Sequence, residues 1–179
     1  VYLQKKRLLD LPFLMDKIDS LLKELALEEK VSILSGSDSW HTTPVERLAI
    51  PRIKMTDGPN GARGDGSSKV SSACYPNGSA IASTWDLELI ESLGKSLGRE
   101  ARSKDADVLL GPTINIHRHP LGGRHFECYS EDPVLTGAVT VAYVKGVQSE
   151  GVVACIKHFV GNDTEFKRHT VSSNIKPRP

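Results

Sequence analysis

The chain has 179 residues, a formal net charge of +1, 39% hydrophobic and 25% charged residues. That is the composition of one ordinary globular domain, and the near-zero charge provides no field to draw in nucleic acid or an anionic membrane. No membrane span is read in the sequence.

In chain order, the basic cluster Lys5, Lys6 and Arg7 precedes the apolar stretch Leu8 to Leu14, which Asp10 and Pro12 interrupt. No small-residue cleavage site follows, so no signal peptide is read and a cytoplasmic location is favoured. The chain opens on Val1 rather than methionine, leaving room for an upstream segment. Residues 1–14 are assigned to an N-terminal extension. Ile18, Leu21, Leu22, Leu25, Val31 and Leu34 then recur at helical spacing, with Gly36 placed to close the last turn, predicting an amphipathic helix or a pair over about 15–35.

A Gly/Ser-rich loop with Trp40 and His41 leads to the short strand Ile53 to Met55 and a turn at Asp57-Gly58-Pro59-Asn60-Gly61. Asp86 caps a helix through Leu87, Ile90, Leu93, Leu97 and Ala101, whose C-terminal Arg99, Arg102 and Lys104 suit the helix dipole. Asp107 to Leu110 reads as a strand. Asp132 and Pro133 open a helix through Leu135, Val139, Ala142, Tyr143 and Val147, and a strand over Val152 to Ile156 follows Gly151.

The order β, α, β, α, β with continuous apolar strands implies a parallel sheet covered by helices. Either a (β/α)₈ barrel or an open doubly wound sheet fits, and both bind ligands at the carboxyl ends of strands. Three strands here end in polar, reactive groups: Thr56 to Arg63, Gly111 to Glu127, and Lys157-His158. No glycine-rich nucleotide loop follows any of them, and no cofactor is implied.

Asp57, Arg63, Arg124, Lys157, His158 and Arg168 form the mixture of carboxylate acceptor and cationic donors that holds the hydroxyls of a neutral polyol such as a sugar. A second reading makes His117 and His119 metal ligands, joined by His158 and by Asp57 or Asp163. Lys157 and the arginines would set positive charge beside that cation, so no metal is expected. A third reading is structural, with Asp–Arg pairs tying loops together; it is preferred for His119 and His125. Trp40 and Trp85 are expected to pack, and Cys155 is expected in the core. Cys74, Cys128 and Cys155 contain no C-x-x-C pair, which fits a reducing compartment or incidental thiols. Asn77-Gly78-Ser79 and Asn162-Asp163-Thr164 match the N-glycosylation pattern.

Thr56-Asp57-Gly58-Pro59-Asn60-Gly61-Ala62-Arg63-Gly64, the run from Gly111-Pro112 through Glu127-Cys128-Tyr129-Ser130-Glu131-Asp132-Pro133, and Lys157-His158-Phe159-Val160-Gly161-Asn162-Asp163-Thr164-Glu165 carry a resemblance. Together they resemble the N-terminal domain of glycoside hydrolase family 3, fungal β-glucosidases in particular. The likeness runs from about Leu25 to Arg168. It implies a (β/α)₈ TIM-type barrel and hydrolysis of small-molecule or oligosaccharide β-D-glucosides with retention of configuration. By resemblance Asp57 accepts hydroxyls of the terminal glucose with Arg63 nearby, Arg124, Lys157 and His158 donate to the same sugar, and Arg168 lines the pocket.

Retaining chemistry needs a nucleophile and an acid/base about 5 Å apart. In the family these follow later in the sequence, and neither is identified here, so no catalytic residue is assigned. A complete barrel of this type takes about 250 residues, so residues 15–179 are expected to form an incomplete barrel domain of three to four strand–helix units. Its open edge predicts self-association. Alone, the chain is expected to be inactive; a non-catalytic or degenerate sugar-binding module is the competing reading.

Overall fold

In the computed structural model, which describes residues 11–64 and 71–174, three short parallel strands form one sheet in the order β1-β2-β3. They are β1 (Met55–Asp57), β2 (Val108–Leu110) and β3 (Val153–Ala154). Met55 pairs with Val108 and Asp57 with Leu110, while Val108 pairs with Val153, so the three carboxyl ends lie side by side. Each strand is shorter or shifted relative to its apolar run. Ile53 stays outside β1 because its carbonyl accepts from Thr42 N (3.0 Å), and Met55 N donates to Trp40 O at 2.7 Å. The 40–42 segment thereby covers the outer edge of β1.

Among the described residues the α-helices are α1 (Leu11–Glu24), α2 (Leu27–Ser35), α3 (Gly78–Ala82), α4 (Leu87–Ser103) and α5 (Pro133–Ser149). The first two resolve the helix-or-pair alternative as a pair, and α1 crosses the 14/15 boundary drawn from the sequence. Only Leu25 of their apolar stripe is buried, at 8% exposure, whereas Leu34 is 87% exposed. Periodicity identified helices but not a covered face. Residues 1–10, where the basic cluster falls, and 175–179 lie outside the described residues.

α4 and α5 form as their caps dictate. The Asp86 carboxylate accepts from Leu89 N at 2.9 Å and the Asp132 carboxylate from Val134 N at 2.8 Å, with Pro133 in the first turn, where a missing N–H costs nothing. The two helices pack backbone against backbone. A β-carbon on Gly94 would stand 2.5 Å from Tyr143 O, and one on Gly146 would stand 2.2 Å from Glu91 O. Ile90, Leu97, Ala101, Val139, Tyr143 and Val147 close over Leu109 of β2, and this is the core.

α3 was not anticipated. Asn77, flagged by the glycosylation pattern, caps it by accepting from Ala80 N at 2.9 Å. Two further expectations fail. Cys155 is exposed, because side chains alternate across the strand: Val152 and Ala154 face the helix layer, whereas Val153 and Cys155 face the opposite, uncovered side. Trp85 is 71% exposed, in a left-handed turn (φ 56°) between α3 and α4 that turns the ring outward. Among the described residues no helix is long and apolar enough to cross a membrane.

Candidate functional site

Asp57 is the last residue of β1, and the chain must reverse immediately after it. Gly58 has φ +128°, and a β-carbon there would stand 1.7 Å from Gly61 O, so only glycine permits the turn. The loop is pinned at its far end by Gly64 N donating to Thr56 Oγ1 (2.8 Å) and by Arg63 N donating to Asp57 O (2.9 Å). From α5, the buried Tyr143 hydroxyl donates to Pro59 O at 3.0 Å. These contacts fix where the Asp57 carboxylate points.

That carboxylate receives two cations. Lys157 Nζ donates to Asp57 Oδ1 at 2.6 Å, and the Arg63 guanidinium pairs with Oδ2. Lys157 lies just beyond β3, held because its backbone N donates to Pro112 O (2.9 Å) while its O accepts from Ile114 N (2.9 Å). Burial pushes the Asp57 carboxyl up, but the Lys157 ammonium and the Arg63 guanidinium outweigh it and hold it below the usual range.

The second half of the site follows β2. Arg124 Nε pairs with Glu127, whose side chain is 10% exposed and whose Oε2 accepts from Thr113 Oγ1 at 3.4 Å. Arg124 Nη2 lies 3.4 Å from His158 Nε2, and His158 is fixed from behind by its N donating to Asn115 Oδ1 (3.1 Å). Burial, together with the positive Arg124 and Lys157, lowers the His158 imidazole, favouring its neutral form.

Asp57, Arg63, Arg124, Glu127 and Lys157 line one cleft of about 480 Å³ at the carboxyl ends of the strands, with Phe126 on its rim. His158 meets it from the side through Arg124. Arg168 stands apart: its guanidinium donates to Glu165 Oε2 at 2.9 Å, and it is not part of the cleft wall. It connects only indirectly, since Glu165 packs against Gly123 and adds negative charge near Arg124. Five of the six predicted residues therefore converge.

Sequence reasoning missed Glu127 and Asn115. Glu127 at i+3 from Arg124 is a local signal that could have been read. Asn115 could not, because its partner is 43 residues away. The histidine-rich run is otherwise engaged: the His117 and His125 rings stack at 4.8 Å, His125 Nε2 meets Asp163 O at 3.2 Å, and Asp163 pairs with Arg118. Among the described residues no group of three His, Cys, Asp or Glu side chains is arranged to hold a metal ion.

Comparison with known proteins gives these residues a context. Residues 22–178 match the model of the glycosyl hydrolase family 3 N-terminal domain. The chain is 59% identical over 163 residues to a β-glucosidase of Rhizobium radiobacter, covering 90% of this chain and 20% of that protein. Among solved structures, the β-glucosidase of Kluyveromyces marxianus in complex with glucose superposes with a TM-score of 0.79 at 52% identity, covering 83% of this chain and 18% of that one. A family 3 β-glucosidase of Bifidobacterium adolescentis gives a TM-score of 0.81 at 45% identity, covering 88% and 23%. The chain spans about a fifth of the length of the relatives it matches. Its three parallel strands with their crossover helices are consistent with part of a TIM-type barrel, and the chain belongs to the glycosyl hydrolase family 3 N-terminal domain.

Proposed function

We propose that these residues form the glucose-gripping wall of a retaining β-glucosidase, with the nucleophile and the acid/base supplied from outside the 179 residues. One observation carries the reading: a single carboxylate at a strand end, Asp57, is held between two cations on the floor of a cleft that a third cation, Arg124, also lines. A carboxylate kept ionised this way accepts hydrogen bonds from two hydroxyls at once, while ammonium and guanidinium groups donate to neighbouring oxygens. Those hydrogen bonds can strengthen as the sugar ring flattens toward an oxocarbenium-like transition state.

The same environment argues against catalytic roles for the cleft's own acids. A general acid must carry a proton near neutral pH, and Asp57 is shifted in the opposite direction. Glu127 is committed to Arg124 and Thr113. The proposed role of Arg168 is to buttress the outer wall through Glu165.

Calorimetric titration of glucose into the folded chain tests the reading. Binding is expected for the wild type and lost in Asp57→Asn, which keeps the shape but removes the charge facing Lys157 and Arg63. No hydrolysis of an aryl β-glucoside is expected from either. A flat titration on a folded wild-type sample would sink the proposal, and turnover abolished by Asp57→Asn would overturn the assignment of catalysis elsewhere.

A further inference from the structure

On the reverse side of the Asp57 loop, the last turn of α4 and its C-cap residue present an acid and a base, Glu100 and Lys104. Their side chains are only 15% and 5% exposed, although they stand in the charged C-terminal end of α4 beside Arg99 and Arg102. Glu100 spends its two oxygens on backbone amides from separate segments. Ala62 N donates to Oε2 at 2.9 Å and Ala73 N donates to Oε1 at 2.7 Å. Lys104 Nζ donates to Ala62 O and to Glu100 Oε1, the latter at 3.3 Å. Lys104 is itself tied to the sheet, since its carbonyl accepts from Lys54 Nζ at 2.8 Å.

Both amides adjoin cleft residues. Ala62 is fully buried and directly precedes Arg63, which pairs with Asp57. Ala73 lies between Ser72 and Cys74 and lines the same cleft with them. The two segments also meet face to face, for Tyr75 N donates to Asn60 O at 2.9 Å and a β-carbon on Gly61 would stand 1.9 Å from Ala73 O. One carboxylate thus clamps both walls of the cleft from behind. A charge serving only helix α4 would bond to its own turn or to solvent.

We propose that Glu100 is a positioning residue: it sets the spacing between the Arg63 side and the Ser72–Cys74 side of the cleft by bonding both backbones, with Lys104 neutralising it. The consequence for sugar rests on the function proposed above; the clamp itself does not. Glu100→Gln replaces one acceptor oxygen with an NH₂ group, which faces an amide donor it cannot satisfy and leaves Lys104 without its anion.

Hydrogen exchange of the 179-residue chain, read at single residues, with glucose titration alongside, separates the two claims. In the wild type, the Ala62 and Ala73 amides are expected to be protected. In Glu100→Gln, exchange in 56–64 and 71–76 is expected to rise by about tenfold or more, with α4 and α5 unchanged and glucose affinity weakened by about tenfold. Glu150→Gln, which removes the carboxylate facing Arg99 at the other edge of the helix pair, should do neither. An unprotected Ala73 amide in the wild type overturns the clamp without any variant having to fold, and so does wild-type exchange in Glu100→Gln. Raised exchange with unchanged glucose affinity overturns the positioning role. A wild type that binds no glucose rejects the sugar reading alone, and exchange still decides the clamp.

Discussion

The α4–α5 seam and the strand ends are held by different physics. At the seam two helices approach until backbone touches backbone at Gly94 and Gly146, and the contacts between Ile90, Leu97, Val139 and Val147 are apolar throughout. At the strand ends, cations and carboxylates from β1, the segment after β2 and the segment after β3 meet in one network, where Asp57 and Asn115 each hold a residue distant in sequence and Glu127 holds Arg124 three residues away. The seam derives its stability from close packing, which tolerates no added volume. The strand ends keep polar groups half-buried at a cost and use them on a cleft. Tyr143 joins the two, filling the core with its ring and bonding the Asp57 loop with its hydroxyl.

The largest effect should come from the seam. Gly146→Val would drive a branched side chain into Glu91 O, 2.2 Å from the ideal β-carbon position, and Lys95 N, 2.8 Å away, both backbone atoms that cannot rotate aside. A loss of about 3 kcal/mol or more is expected, read as a collapse of the denaturation midpoint. Gly137, whose β-carbon would meet nothing within 4 Å, is the internal control: Gly137→Ala should stabilise by about 0.5–1 kcal/mol, since it lies in α5 with open space around it.

At the strand ends the cost is smaller and more specific. Glu127→Ala removes the partner of Arg124 and the acceptor for Thr113 Oγ1, so a loss of about 1–3 kcal/mol is expected. Glucose binding should suffer more than stability, because the Arg124 guanidinium loses its orientation while the helices remain packed. Unchanged affinity in a variant with a lowered midpoint would place Glu127 with the scaffold instead.

How much of this was legible in the sequence follows the same division. Asp86 and Asp132-Pro133 announce their helices because capping is local, and the strand ends were visible as apolar runs breaking into polar clusters. Asp57, Lys157, Arg63, Arg124 and His158 could be picked out because one face of a parallel sheet collects them. Glu100 and Lys104 could not. A charge at i and i+4 on a helix reads as a solvated pair, and only the path of a loop 38 residues earlier turns Glu100 inward. Cys155 and Trp85 were misplaced for the complementary reason: apolar character predicts burial only where another layer arrives to cover it.

A pH titration sharpens the comparison further. His158 has its pKa lowered by burial and by Arg124 and Lys157, so the unfolded chain binds its proton more readily. Its contribution is complete above the ordinary histidine value, about 6.5, and fades as pH falls below it. Asp57, also lowered, contributes above the ordinary carboxylate value, about 4, and is lost only in stronger acid. Midpoints should therefore decline in two steps on acidification. His158→Asn should flatten the upper step, and Asp57→Asn the lower. A single step unchanged by either variant would contradict the assignment.

The smallest effect is the most direct check on where the layers end. Cys74 and Cys155 are exposed, whereas Cys128 is buried, and burial followed by the negative Glu127 pushes its thiol up to about 11. Only the thiolate attacks a disulfide reagent, so a buried thiol with a raised pKa is protected twice. Two thiols of the native chain should react with an aromatic disulfide at neutral pH, and the third only on unfolding. Cys155→Ser should remove one of the two fast equivalents while changing stability by no more than about 0.5 kcal/mol, as for other exposed positions. Should Cys155 react only with denaturant, the residues beyond β3 are covered in solution, and the expected self-association through that open edge becomes the explanation to test by sedimentation.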